Sequence, residues 1–169
     1  MAIQSARALA HSKTLARRVD LYPSCGKKVA SAQEVYMPEQ ETLRRAHEDA
    51  REGKAPSTQA GEFVREEMHH IREGKHGARN TKQAIAIGLS KARRAGVKLQ
   101  PPSRGRASSR TRRQAERDYA KGQSGRKRKT NPRRSQAVTR ALKRESRSSA
   151  SRSALSRQAR SAARRRRAR

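Results

Sequence analysis

The sequence predicts a mostly α-helical chain of short helices, with a central helix-loop-helix and a basic tail that is largely disordered or only conditionally helical. Three observations carry that reading. The larger apolar residues recur at helical spacing in one stretch, about residues 58–100. Glycines and prolines stand where helices start and stop. The formal net charge is +30, and most of it lies beyond residue 100.

Composition narrows the classes. Leu, Ile, Val and Phe together number 19 in 169 residues, whereas alanine alone numbers 27. At roughly 20 % or below, with a large net charge, such a composition favours disorder over one large core. One Phe, three Tyr and no Trp exclude stacking platforms built on aromatic rings. No apolar run reaches the ~20 residues of a membrane span, and the amino terminus lacks the apolar stretch of a secretory signal. The single cysteine, Cys25, excludes an intramolecular disulfide framework. Beside Lys27 and Lys28 it reads as a free surface thiol, with no histidine near it in sequence to make it a nucleophile.

The chain divides into three parts. Residues 1–57 form a weakly patterned helical region of net charge +3. Ala8, Ser12, Leu15 and Val19 sketch one helix ending before Pro23. Pro38 opens another that runs through Leu43, Ala46 and Ala50 to Gly53. In residues 58–100, Val64, Met68 and Ile71 follow i, i+4, i+7, with Phe63 beside them, and predict a helix over 62–73. Glu62, Glu66 and Glu67 then fall in its first two turns, where negative charge suits the helix dipole. Gly74 ends it. A second helix over 81–95 starts from Asn80 as N-cap with Gln83 at N3, and buries Ile85, Leu89 and Ala92. Lys91, Arg93 and Arg94 load its last turn, and Gly96 caps it. Val64, Met68 and Ile71 are expected to pack on Ile85, Leu89 and Val97 as the only compact unit. The sequence Arg-Glu-Gly-Lys occurs at 51–54 and again at 72–75, which reads as two helices closed by similar glycine caps. Pro101 and Pro102 begin the third part, residues 101–169, an Arg/Ser/Ala-rich tail of net charge +22.

The stretch Arg72-Glu73-Gly74-Lys75-His76-Gly77, followed by Thr81-Lys82-Gln83-Ala84-Ile85-Ala86-Ile87-Gly88, resembles a family of small, basic, uncharacterised bacterial proteins. Some members are labelled DNA-binding or plasmid-stabilisation proteins. The resemblance spans about residues 58–100 and implies a bacterial, cytoplasmic protein. It lends no catalytic residue and does not extend to the amino-terminal region.

Two segments carry candidate chemistry. Lys75, His76, Arg79 and Lys82 surround the start of the second central helix, where free N–H groups and a partial positive charge favour anions. Gly74 and Gly77 would let the backbone approach a bound oxygen. A solvated turn between two helices is the alternative reading. The loop is too long for a helix-turn-helix and lacks Walker A spacing. On the first central helix Glu66, His69, His70 and Glu73 share a face, but neither the zincin order nor a cysteine cluster is present, so surface Glu–His pairing is expected and no metal or cofactor. No enzyme is indicated.

The tail is the stronger signal. Arg126, Lys127, Arg128, Lys129, Arg133, Arg134, Arg140, Lys143, Arg144, Arg164, Arg165, Arg166, Arg167 and Arg169, together with Arg93 and Arg94, are candidate phosphate contacts. Asn131-Pro132 looks like an N-cap and N1 pair, ahead of a basic helix that forms on a polyanion. The expected function is binding of DNA with little sequence preference, in a bacterial nucleoid. The alternatives are an RNA- or ribosome-associated protein, or a protein-interaction module with a polybasic tail. The hairpin is available for self-association.

Overall fold

The computed structural model describes residues 38–125 and 131–168. The helix sketched around Ala8–Val19, Cys25, the cluster Arg126-Lys127-Arg128-Lys129 and Arg169 lie outside the described residues. The described residues form six α-helices and one short 3-10 turn joined by loops, with no strand among them. They are α1 (Gln40–Arg51), α2 (Pro56–Glu73), α3 (Thr81–Arg94), α4 (Ser109–Gln123), α5 (Pro132–Arg144), the 3-10 turn Arg147–Ala150, and α6 (Arg152–Arg167). The fold is mostly α, as expected.

Local chemistry explains the ends. Pro56 opens α2, where its missing N–H has no helical acceptor to lose. The Asn80 side chain accepts from the Gln83 N–H at 2.8 Å and caps α3. Gln83 reaches back to the N–H of Arg79, one residue short of a full capping box. Gly74 adopts φ 79°, its N–H bonds Ile71 O, and the Lys75 N–H bonds His70 O. That is a Schellman motif, and Gly53 and Gly96 close α1 and α3 with the same pair of bonds. The repeated Arg-Glu-Gly-Lys is therefore two glycine caps.

Helix α2 lies antiparallel to α3. Near the start of α2, Ala60 and Phe63 meet Ala92 and Val97, with Ala46 of α1 completing the cluster and Leu43 and Leu89 beside it. Near its end, Met68 and Ile71 meet Ala78, Ala84 and Ala150, with Val64, Ile85 and Leu155 alongside. The expected single core is thus two clusters. Leu89 and Val97 belong with Phe63 and not with Met68, because the antiparallel crossing sets the end of α3 against the start of α2. Gly88 permits that crossing: a Cβ there would lie 2.8 Å from Val64 Cα.

The hairpin is not the only compact unit. Helix α1 covers one cluster, and Ala150 and Leu155 of the tail complete the other. The tail, expected to be largely disordered or conditionally helical, holds three helices. Alanine, arginine, lysine and glutamine have high helix propensity, and Ser108, Asn131 and Ser151 each accept a helical N–H as N-caps. Large apolar side chains are not needed where backbones come this close. A Cβ at Gly122 would overlap the Arg93 carbonyl, which brings α4 onto the end of α3. Ser90 donates to Asp118 across the same contact at 2.7 Å.

The acidic residues of α2 also take another role than expected. The helix starts six residues earlier than 62, so Glu66 and Glu67 sit in its middle and are buried. Lys91 of α3, itself buried, places Nζ 2.9 Å from Glu67 Oε2 and 3.4 Å from Glu66 Oε1. These carboxylates do not serve the helix dipole. They compensate a buried ammonium.

Candidate nucleic-acid interface

An open groove of about 1040 Å³ runs between the start of α3 and one face of α6. Arg79, Asn80, Thr81 and Lys82 form one wall, and Ser153, Arg157, Arg160, Arg164 and Arg167 the other. The serines of the 3-10 turn, Ser148 and Ser149, lie between. The groove contains six cationic side chains and no carboxylate. On α6 the four arginines fall at i, i+3, i+7 and i+10, a single stripe about 15 Å long at 1.5 Å per residue. On α3 the N–H groups of Thr81 and Lys82 have no helical acceptor and point out of the helix start. Guanidinium forks suit phosphate oxygens, and serine hydroxyls donate to them.

Four bonds hold residues 142–150 of the tail against the end of α2, the loop after it and the start of α3. The N–H groups of Gly77 and Ala78 donate to Leu142 O and Ser146 O at 2.9 and 3.1 Å. Thr81 Oγ1 donates to Ser149 O at 2.7 Å, and Arg72 Nε to Ala150 O at 3.1 Å. The start of α6 thereby comes to the start of α3.

The sequence-derived candidates divide accordingly. Arg79, Lys82, Arg164 and Arg167 line the groove. Arg165 and Arg166 are exposed on the same helix outside it, and Arg133, Arg134, Arg140, Lys143 and Arg144 are exposed along α5. None of these α5 cations forms an ion pair among the described residues. Three candidates need correction. His76 is 2 % exposed, with Nε2 3.2 Å from Glu67 Oε1, so it faces the interior and not a phosphate. Arg93 is buried and donates to the carbonyls of Leu99 and Gln100. Burial lowers its pKa against the opposing pull of Asp118. Lys75 points away from the groove, to Glu39 at 3.1 Å and Glu73 at 3.2 Å. Partial burial works against its ammonium, but the two carboxylates outweigh that and raise its pKa. Arg94 is exposed but sits 3.9 Å from Asp118.

The expected approach of a bound oxygen to Gly77 also finds a different partner. A Cβ there would overlap the backbone carbonyl of Glu145, so the oxygen that comes close belongs to the chain itself. Sequence reasoning missed Arg157 and Arg160 because isolated arginines carry no signal beside a run of four. Their helical spacing with Arg164 and Arg167 was the available sign.

No helix among the described residues is long and apolar enough to cross a membrane. No curated protein and no solved structure matches the chain. Residues 55–104, which span α2, the basic loop and α3, match the sequence profile of a family of unknown function, DUF6496.

Proposed function

We propose that this protein binds the sugar–phosphate backbone of duplex DNA with little sequence preference, using the arginine stripe of α6 and the start of α3 as one phosphate-binding groove. The observation that carries this reading is the six cations gathered in the groove without a carboxylate. The exposed cations of α5 extend the positive surface. Phosphate contacts position a protein without reading bases, and the groove offers no aromatic side chain to stack on one. The net charge of +30 favours fast, salt-sensitive association with any nucleic acid.

A titration of duplex DNA against salt tests it. If six side chains each neutralise one phosphate, log K should fall against log salt with a slope of roughly −5. Between about 50 and 200 mM salt, affinity should then drop by roughly three orders of magnitude. Unrelated duplex sequences should bind alike. A slope shallower than about −2, or a marked preference for one sequence, overturns the reading. Tighter binding of duplex RNA at the same ionic strength would move the assignment to RNA.

A further inference from the structure

Four buried side-chain atoms are left unpaired where the loop after α2 folds back on that helix. They are Oε1 and Oε2 of Glu67, Nδ1 of His70 and Nε2 of His76, and none makes a hydrogen bond. Glu67 and His70 are three residues apart on one face of α2, and the Gly74 cap returns His76 to the same place. Lys91 Nζ and His76 Nε2 are near the Glu67 carboxylate, but neither has hydrogen-bond geometry to it.

The other ring nitrogens fix the tautomers. His70 Nε2 lies 2.8 Å from Glu39 Oε1, and His76 Nδ1 lies 3.1 Å from Gly77 O. A carboxylate and a carbonyl only accept, so in the neutral rings these nitrogens carry the hydrogens. Nε2 of His76 then presents its lone pair 3.2 Å from the acceptor-only Oε1 of Glu67, and Nδ1 of His70 presents its own 3.9 Å from Oε1 of Glu66. One ammonium, on Lys91, is shared by the carboxylates of Glu66 and Glu67. The pocket therefore lacks one positive centre.

We propose that Glu67, His70 and His76 bind a divalent transition-metal ion of the zinc class. Their three ligating atoms lie within 4.8 Å of one another, and all three residues are buried. Two imidazole nitrogens and one carboxylate oxygen form a donor set that suits zinc. Bonds of about 2.1 Å in a tetrahedron set ligand atoms roughly 3.4 Å apart, and His76 Nε2 is already 3.2 Å from Glu67 Oε1. Lys91 occupies the side of Oε2, which leaves Oε1 as the ligand. The bonds to Glu39 and to Gly77 O are the outer contacts that orient metal-binding histidines. The ion would staple the basic loop to α2. His69, which shares the helix face suggested by spacing, is exposed and takes no part.

The test uses the full chain carrying Cys25→Ser, stripped with a chelator and titrated with Zn²⁺ and, for its visible absorption, Co²⁺. One ion per chain should bind at micromolar free metal, and melting should shift upward. His69→Gln should leave binding unchanged, whereas His76→Gln should weaken it at least tenfold. Should His76→Gln fail to fold, ring ¹⁵N shifts decide in the chain with native histidines. Zinc should move His70 Nδ1 and His76 Nε2 and leave the protons on the opposite nitrogens. No bound ion, an ion held equally by His76→Gln, shifts confined to His11, His47 and His69, or an imidazole protonated on both nitrogens in the presence of zinc would each overturn the site.

Discussion

The N–H of Gly77 donates to the carbonyl of Leu142 over 2.9 Å, so the basic loop is closed by the chain's own tail. That bond and its neighbour, from Ala78 to Ser146, hold the end of α5 and the residue before the 3-10 turn against the loop that leads into α3.

Gly77→Ala tests this closure. A Cβ at 77 meets backbone and not the end of a flexible side chain, so relief requires the tail to move. Overpacking of this kind costs about 1–3 kcal/mol. Amide exchange at Gly77 and Ala78 should be slow in the native chain, and in the variant it should quicken at Ala78. Equal protection in both chains would show that the tail does not dock there.

Two glycines inside helices should respond with opposite sign. Gly61 of α2 has open space around the position of a Cβ, so Gly61→Ala should stabilise by roughly 0.5–1 kcal/mol. Gly88 of α3 faces Val64 Cα and Phe63 O, so Gly88→Ala should destabilise despite the same gain in helix propensity. Urea denaturation of the two variants beside the parent measures both.

Lys91→Met should be costly although it adds an apolar side chain to the interior. It leaves the buried carboxylates of Glu66 and Glu67 without their shared ammonium, a loss of about 3–5 kcal/mol. A melting temperature within a few degrees of the parent would mean that the pair is already compensated elsewhere.

Charge removal should map the interface. Replacing Arg157, Arg160, Arg164 and Arg167 by alanine should flatten the DNA salt slope by about 0.9 per lost contact, roughly 3–4 in all. Replacing Arg133, Arg134, Arg140 and Arg144 of α5 should flatten it less, and Arg93→Ala should leave it unchanged while lowering stability, since Arg93 is spent on Leu99 and Gln100. If the α5 set has the larger effect, the groove is not the binding surface.

The sequence by itself determined the helix boundaries that depend on a few neighbouring residues. Asn80, Gly53, Gly74 and Gly96 cap helices through bonds spanning no more than five positions, so their roles are legible in the order of residues. It also determined the charge, because +30 follows from composition alone. Only the tertiary structure decided which charges remain available. His76 and Arg93 look like surface cations in a basic stretch, yet packing of α2, α3 and the chain after α3 turns both inward. Glu66 and Glu67 look like dipole partners and become the counter-charges of Lys91, 25 and 24 positions away. The groove joins Lys82 to Arg157 across the whole length of α4 and α5. No local rule encodes such a meeting, because it depends on how closely two backbones approach at Gly77, Gly88 and Gly122, and that distance is set by the packing of the helices as a whole.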